Sequence, residues 1–169
     1  MTSILKVSEI QDPTNSNTAL TIDASGLVTK PNVPAFFVRP NAVQNNIPVS
    51  SSTTIVFDQE YYDQGANFSS NTFTAPVNGF YHFSCYIRLQ NVDNGASYYQ
   101  LLWQLGGTQR QGHLFSPLLS SDPLYWAMNS SLTYYLTAGQ TAYLQLYQGA
   151  GSQQTDIGTD SWFSGHLVG

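Results

Sequence analysis

The sequence predicts an all-β protein, a sandwich or jelly roll of two antiparallel sheets, preceded by a short β-hairpin arm. Two observations carry that prediction. From Pro34 onward, large apolar residues recur with a period of two and never with the 3.6-residue period of an amphipathic helix. The alternating runs are short, and loops rich in Gly, Asn, Ser and Asp separate them, such as Asn91-Val92-Asp93-Asn94-Gly95 and the stretch 148–160. Many short strands at that spacing make two sheets that cover each other.

In chain order, residues 1–33 come first and are more polar than the rest. Ile4, Val7 and Ile10 are too few to specify a helix, and Asp12-Pro13 stops whatever begins there. Residues 19–22 and 27–29 flank Asp23-Ala24-Ser25-Gly26 and predict a small hairpin. An isolated hairpin is barely stable in water, so this arm is expected to lean on its own head domain, on sister chains or on a larger assembly. Lys30-Pro31-Asn32-Val33-Pro34 forms a stiff hinge to the head domain, residues 34–169.

Strands are predicted over 35–39, 47–49, 53–57, 71–74, 79–90, 97–106, 114–119, 125–136, 141–148 and 161–168. The head is organised around residues 71–90. There Tyr81, Phe83, Cys85, Ile87 and Leu89 point one way, and Phe80, His82, Ser84, Tyr86 and Arg88 the other. A strand with one wet face would be purely polar on it, so the second face is expected to meet another chain. The core is expected to hold Phe57, Phe73, Tyr81, Phe83, Cys85, Leu101, Trp103, Leu144, Leu146, Phe163 and Leu167.

Composition narrows the function. Charged residues make up 9% and aromatics 14%, with amides and hydroxyls supplying most of the polarity, which fits an extracellular or virion surface better than a cytosolic enzyme. Five basic residues and a net charge of −5 argue against a nucleic-acid partner. Cys85 is the sole cysteine and reads as a small buried hydrophobe. No signal peptide is visible after Met1, so none is expected, and no window approaches a membrane span. Export by virus assembly and lysis is one route that needs neither.

The spacing of Phe57, Asp63, Phe68, Phe73, Gly79, Tyr81 and Phe83 resembles the globular head domain of complement subcomponent one-q, in the superfamily shared with tumour necrosis factor. The line TFTAPVNGFYHF is its most recognisable part, joined by residues 136–140 before the penultimate strand and residues 162–167 as the closing strand. Two departures are a short interval from Phe68 to Phe73 and Cys85 in an aromatic's place. The resemblance implies a jelly roll that assembles as a homotrimer. It also implies that the central, penultimate and closing strands share the sheet facing the threefold axis, which nominates Phe80, His82, Tyr86, Tyr143, Gln145, Tyr147, Trp162 and His166 as interface. Residues 3–7, 19–23 and 26–29 are similar to openings of structural proteins of tailed phages, cyanophages among them. That similarity implies an arm anchored on a capsid, neck or tail protein.

Other constellations have two readings each. Asp58, Glu60 and Asp63, in the loop FDQEYYDQ, are the candidate ligands for calcium, the one cofactor the sequence raises; a solvated turn is the alternative. His82 and His166 fall on one outward face, as pH sensors at a threefold axis or as satisfied interface residues. Tyr61, Tyr62, Tyr98 and Trp126 are candidates for a host glycan or protein, or else shield sheet edges or fill an interface. No nucleophile elbow, phosphate loop or paired-carboxylate motif is present, so no enzymatic activity is expected. The resulting expectation is a trimeric structural protein on the surface of a phage virion, a capsid-attached decoration, head fibre or tail-fibre head that stabilises the particle or attaches to the host. The alternative is a free-standing, extracellular lectin-like adhesin or ligand of cellular origin.

Overall fold

The computed structural model describes residues 6–168; Ser3, Ile4 and Leu5, on which the phage-like resemblance partly rests, lie outside them. Strands β1 (Glu9–Gln11), β2 (Thr18–Ile22) and β3 (Val28–Thr29) form a small antiparallel sheet of their own. The Asp12 carboxylate accepts hydrogen bonds from the Thr14 and Asn15 amides at 2.8 and 3.0 Å and so turns the chain after β1. Asp23 does the same between β2 and β3, where its carboxylate accepts from the Ser25 and Leu27 amides. Val7, Ile10, Leu27 and Val28 stay exposed in this arm. Its seam to the head includes hydrogen bonds from the Gln64 amide to the Lys30 and Pro31 carbonyls.

The head contains β4 (Ala35–Arg39), β5 (Ser52–Thr54), β6 (Gln59–Gln64), β7 (Phe68–Ser69), β8 (Thr72–Thr74), β9 (Gly79–Gln90), β10 (Tyr98–Leu105), β11 (Thr108–Phe115), β12 (Tyr125–Leu136), β13 (Thr141–Gly149), β14 (Asp156–Ile157) and β15 (Trp162–Leu167). One sheet runs β12-β9-β15-β4-β6, with β14 also on β9; the other runs β11-β10-β13-β8-β7, with β5 also on β13. All strand pairings are antiparallel, and the described residues hold no helix. The chain alternates between sheets at β8, β9 and β10, so the two inner faces close on one core.

That core is aromatic. Phe36 stacks on Phe73 at 5.0 Å and Phe68 at 5.1 Å and meets Phe163 edge-on at 4.9 Å. Trp103 crosses between the sheets and donates its indole N–H to Ser130 Oγ at 2.9 Å. Gly165 sits beneath the Phe83 and Phe36 rings, where an added Cβ would lie 2.5 and 2.7 Å from them. The short Phe68–Phe73 interval is a two-residue hairpin: Ser70 and Asn71 both take positive φ, 49° and 66°, and Phe68 pairs with Phe73 across it. Every expected core residue is buried except Leu167, which is only partly covered at the end of β15.

Several expected strands differ. Residues 47–49 form no strand: Ile47 is buried, and Val49 makes an isolated bridge to Gln148. The run 53–57 is strand only to Thr54, beyond which Ile55 and Phe57 continue into the core as irregular chain. The strand expected at 114–119 lies earlier, at β11, because the Gly106-Gly107 turn, with φ of 56° and 81°, starts a polar strand directly.

Cys85 is 2% exposed, and burial pushes its thiol up to about 12. In unfolded chain it ionises near its ordinary value of about 8.5, so folded protein holds more protons between the two. Cys85 should therefore resist a thiol reagent at pH 8 until the protein unfolds, and stability should fall as pH rises above about 9. Buried Tyr99, also raised by burial, adds to the same alkaline loss. Rapid stoichiometric labelling of native protein would show that the core opens.

Candidate interaction surfaces

The outer face of the β12-β9-β15-β4-β6 sheet is built by strand alternation. Register places Tyr135 beside Phe80, Thr133 beside His82, His82 beside His166, and Tyr86 beside Trp162. Phe80 and Tyr135 meet edge-on at 5.3 Å. The imidazoles of His82 and His166 lie 5.6 Å apart, with His82 Nδ1 3.2 Å from the Thr133 hydroxyl. Ser131, Ser84 and Ser164 then fall side by side across three strands, followed by Phe37 and Tyr62. This row of small side chains opens into a depression of about 350 Å³, lined by Ser84, Asn129, Ser131 and Trp162. Phe37 stacks on Trp162 at 5.8 Å and touches Tyr61 and Tyr62, making the depression's aromatic flank.

At one end of that face, Asp160 is shared by two arginines: Arg39 Nη2 lies 3.5 Å from its carboxylate, and Arg88 donates to the same group. Arg39 lies over Tyr61 at 5.8 Å and Arg88 over Tyr125 at 5.1 Å. Sequence reasoning missed this cluster, because both arginines are remote from Asp160 in the chain and only the β9–β15–β4 pairing joins them.

The acidic candidates are not a loop but lie on and beside the edge strand β6. Asp58 accepts the Asn41 amide at 2.6 Å, and Asp63 accepts the Asn67 and Phe68 amides at 3.0 and 2.8 Å, capping the turn into β7. Glu60 stands opposite Val38 on an exposed edge. Among the described residues, no group of three or more His, Cys, Asp or Glu is placed to hold a metal ion. Each of the three carboxylates meets backbone N–H groups or solvent instead.

The penultimate strand also departs from expectation. β13 belongs to the opposite sheet, so Tyr143, Gln145 and Tyr147 face away from Phe80, His82, Tyr86, Trp162 and His166. They stand instead beside β10, where Gln104 pairs with Tyr143 and Gln100 with Tyr147. Two groups of amides lie on this second face: Gln104 Nε2 donates to Gln109 Oε1 at 3.0 Å and Gln145 Oε1 at 2.8 Å, and separately Gln100 Nε2 donates to Gln111 Oε1 at 3.2 Å. Tyr98 stacks on Tyr147 at 5.7 Å. The even-numbered residues Tyr98, Gln100 and Gln104 of β10 share this face, as the period of a strand requires.

The four ligand candidates therefore do not form one surface. Tyr61 and Tyr62 are 57% and 55% exposed on the β6 edge, and Tyr98 is on the other sheet. Trp126 is not outward; it stacks on Phe115 at 3.9 Å and packs against the core. His113 lies apart from the other histidines, its Nδ1 3.1 Å from the Asn129 carbonyl oxygen.

Residues 35–168, which hold both sheets of the head, match the family model of the C1q domain. The chain belongs to the C1q domain family. No curated protein matches it. Among solved structures, the globular domain of zebrafish complement 1qA is similar to this head at 18% identity, with a TM-score of 0.55 over 80% of this chain and 98% of that one. Murine APRIL is similar at 10% identity, with TM-scores of 0.57 and 0.58 in two crystal structures that cover 80% of this chain and 99% of theirs. At these identities the likeness is one of fold: a complement-like jelly-roll head, with the N-terminal arm lying before the matched region. No helix among the described residues is long and apolar enough to cross a membrane.

Proposed function

We propose that this C1q head is a non-enzymatic homotrimer that a tailed-phage particle displays on its surface, held through the N-terminal arm to a capsid, neck or tail protein. The observation that carries the trimer is the outer face of the β12-β9-β15-β4-β6 sheet. Phe80, Tyr135 and Val168 are 53%, 47% and 61% exposed there, and Phe37, Trp162, Tyr61 and Tyr62 extend the patch to the far edge. A monomer left with such a face in water would associate through it. Closed threefold symmetry covers it three times over, with the serine-lined depression as the seat for a neighbour's side chains.

The arm supports the anchoring half of the reading. Its three short strands leave most of their apolar side chains exposed, too little burial to offset chain entropy without a further partner. Deleting residues 1–33 should leave a folded trimeric head that no longer enters particles, read by immunoblot of purified virions. Normal incorporation of the truncated protein would remove the anchor. The second reading, a cellular adhesin or ligand, is favoured by one observation: the similar structures come from zebrafish and mouse. Portal, terminase and capsid genes beside this one would decide for the virion.

A further inference from the structure

We infer that the outer face of the other sheet, β11-β10-β13-β5, is a binding platform for a neutral polysaccharide. This rests on the display reading above and goes beyond it, using the sheet that the proposed assembly leaves free. The protein carries ten acidic and five basic residues, and none stands on this face. Arg110, the nearest, pairs with inward-facing Trp103 and leans over Tyr134 of the opposite sheet at 6.0 Å. An ionic partner, whether nucleic acid, anionic lipid or charged protein, finds no counter-charge here.

What the face does offer is amides and phenols. Gln104 bridges Gln109 and Gln145, and Gln145 in turn faces Thr54 of β5 across the next strand. These hydrogen bonds hold the long side chains in place before any ligand arrives, so little rotamer freedom is left to lose on binding. Each amide brings both donors and acceptors, which suits hydroxyl groups that act as both. Leu102, between Gln111 and Gln145 in the register, is 3% exposed, so the amide layer covers the apolar floor. Tyr143 and Tyr147 flank the amides on β13, with Tyr98 stacked on Tyr147, and supply flat apolar faces with polar rims. Flat rings beside fixed, uncharged hydrogen-bonding groups match a sugar polymer whose own surface alternates C–H faces with hydroxyls. Backbone amides take no part, since β10 and β13 are paired along their length.

The test is affinity electrophoresis of the full-length protein through gels containing dextran, laminarin or galactomannan, with alginate and dextran sulfate as charged polymers. Retardation is expected on at least one neutral polymer and on neither charged one. Replacing both Tyr143 and Tyr147 by Ala should weaken it by about tenfold. Gln104→Glu, which keeps every ring and only adds a charge, should also weaken it, and covers the case in which the double variant folds poorly. Size-exclusion mass should stay that of the wild type in Gln104→Glu, so a failure of the platform is separable from a failure of the trimer. Retardation by no neutral polymer, retardation by the charged polymers alone, or a loss caused by Tyr61→Ala on the opposite sheet and not by the Tyr143/Tyr147 pair would each overturn the inference.

Discussion

Phe83→Ala should destabilise the head by about 3–5 kcal/mol, a fall in Tm of roughly 10–20 °C. The ring is fully buried and has Phe73, Phe163, Tyr81 and Trp103 within 5.7–6.3 Å. It also covers Gly165, its partner on β15, which has no side chain to move into the space left behind. A cavity that cannot collapse carries both the lost transfer energy and the lost dispersion contacts. Urea unfolding followed by near-ultraviolet circular dichroism measures the change. A loss under about 1 kcal/mol would mean that the core is looser than these ring packings imply.

Ser84→Arg should dissociate the proposed trimer while leaving the subunit folded. Ser84 points outward from β9, between Ser131 and Ser164, where the neighbour is proposed to seat. An arginine there fills the depression and places an unpaired charge in a closed interface, at a cost of about 3–5 kcal/mol per site. That corresponds to association weaker by roughly a hundredfold or more at each interface, and the three sites act together. Because β13 lies in the other sheet, Tyr147→Asp should leave the mass unchanged. A trimeric Ser84→Arg protein, or a monomeric Tyr147→Asp one, would move the interface to the other sheet.

Much of this architecture is legible in the sequence, and the failures share a physical cause. Strands β4, β9 and β12 fall where alternation puts them, because each has one row of residues more deeply buried than the other. β6 does not announce itself in that way. Its run Gln59-Glu60-Tyr61-Tyr62-Asp63-Gln64 is an exposed edge strand with no apolar alternation and no β-branched residue. β11 hides similarly behind Thr108-Gln109-Arg110-Gln111, largely exposed on the opposite edge. The misplaced face of β13 has a different origin. Alternation tells which residues of a strand point together, but says nothing of which sheet the strand joins; that depends on pairing with β10, set by residues far off in the chain. The His82–His166 neighbourhood is legible because both residues lie on strands with clear alternation that pair directly. The arginine pair on Asp160 is not, since a surface charge carries no periodic signal.

The aromatic face of the β12-β9-β15-β4-β6 sheet is proposed to close on copies of itself. Its most direct test is the mass of the full-length protein in solution, measured by light scattering on a size-exclusion column at micromolar concentration. A single species at three times the chain mass, unchanged on tenfold dilution, is expected. A monodisperse monomer would contradict it.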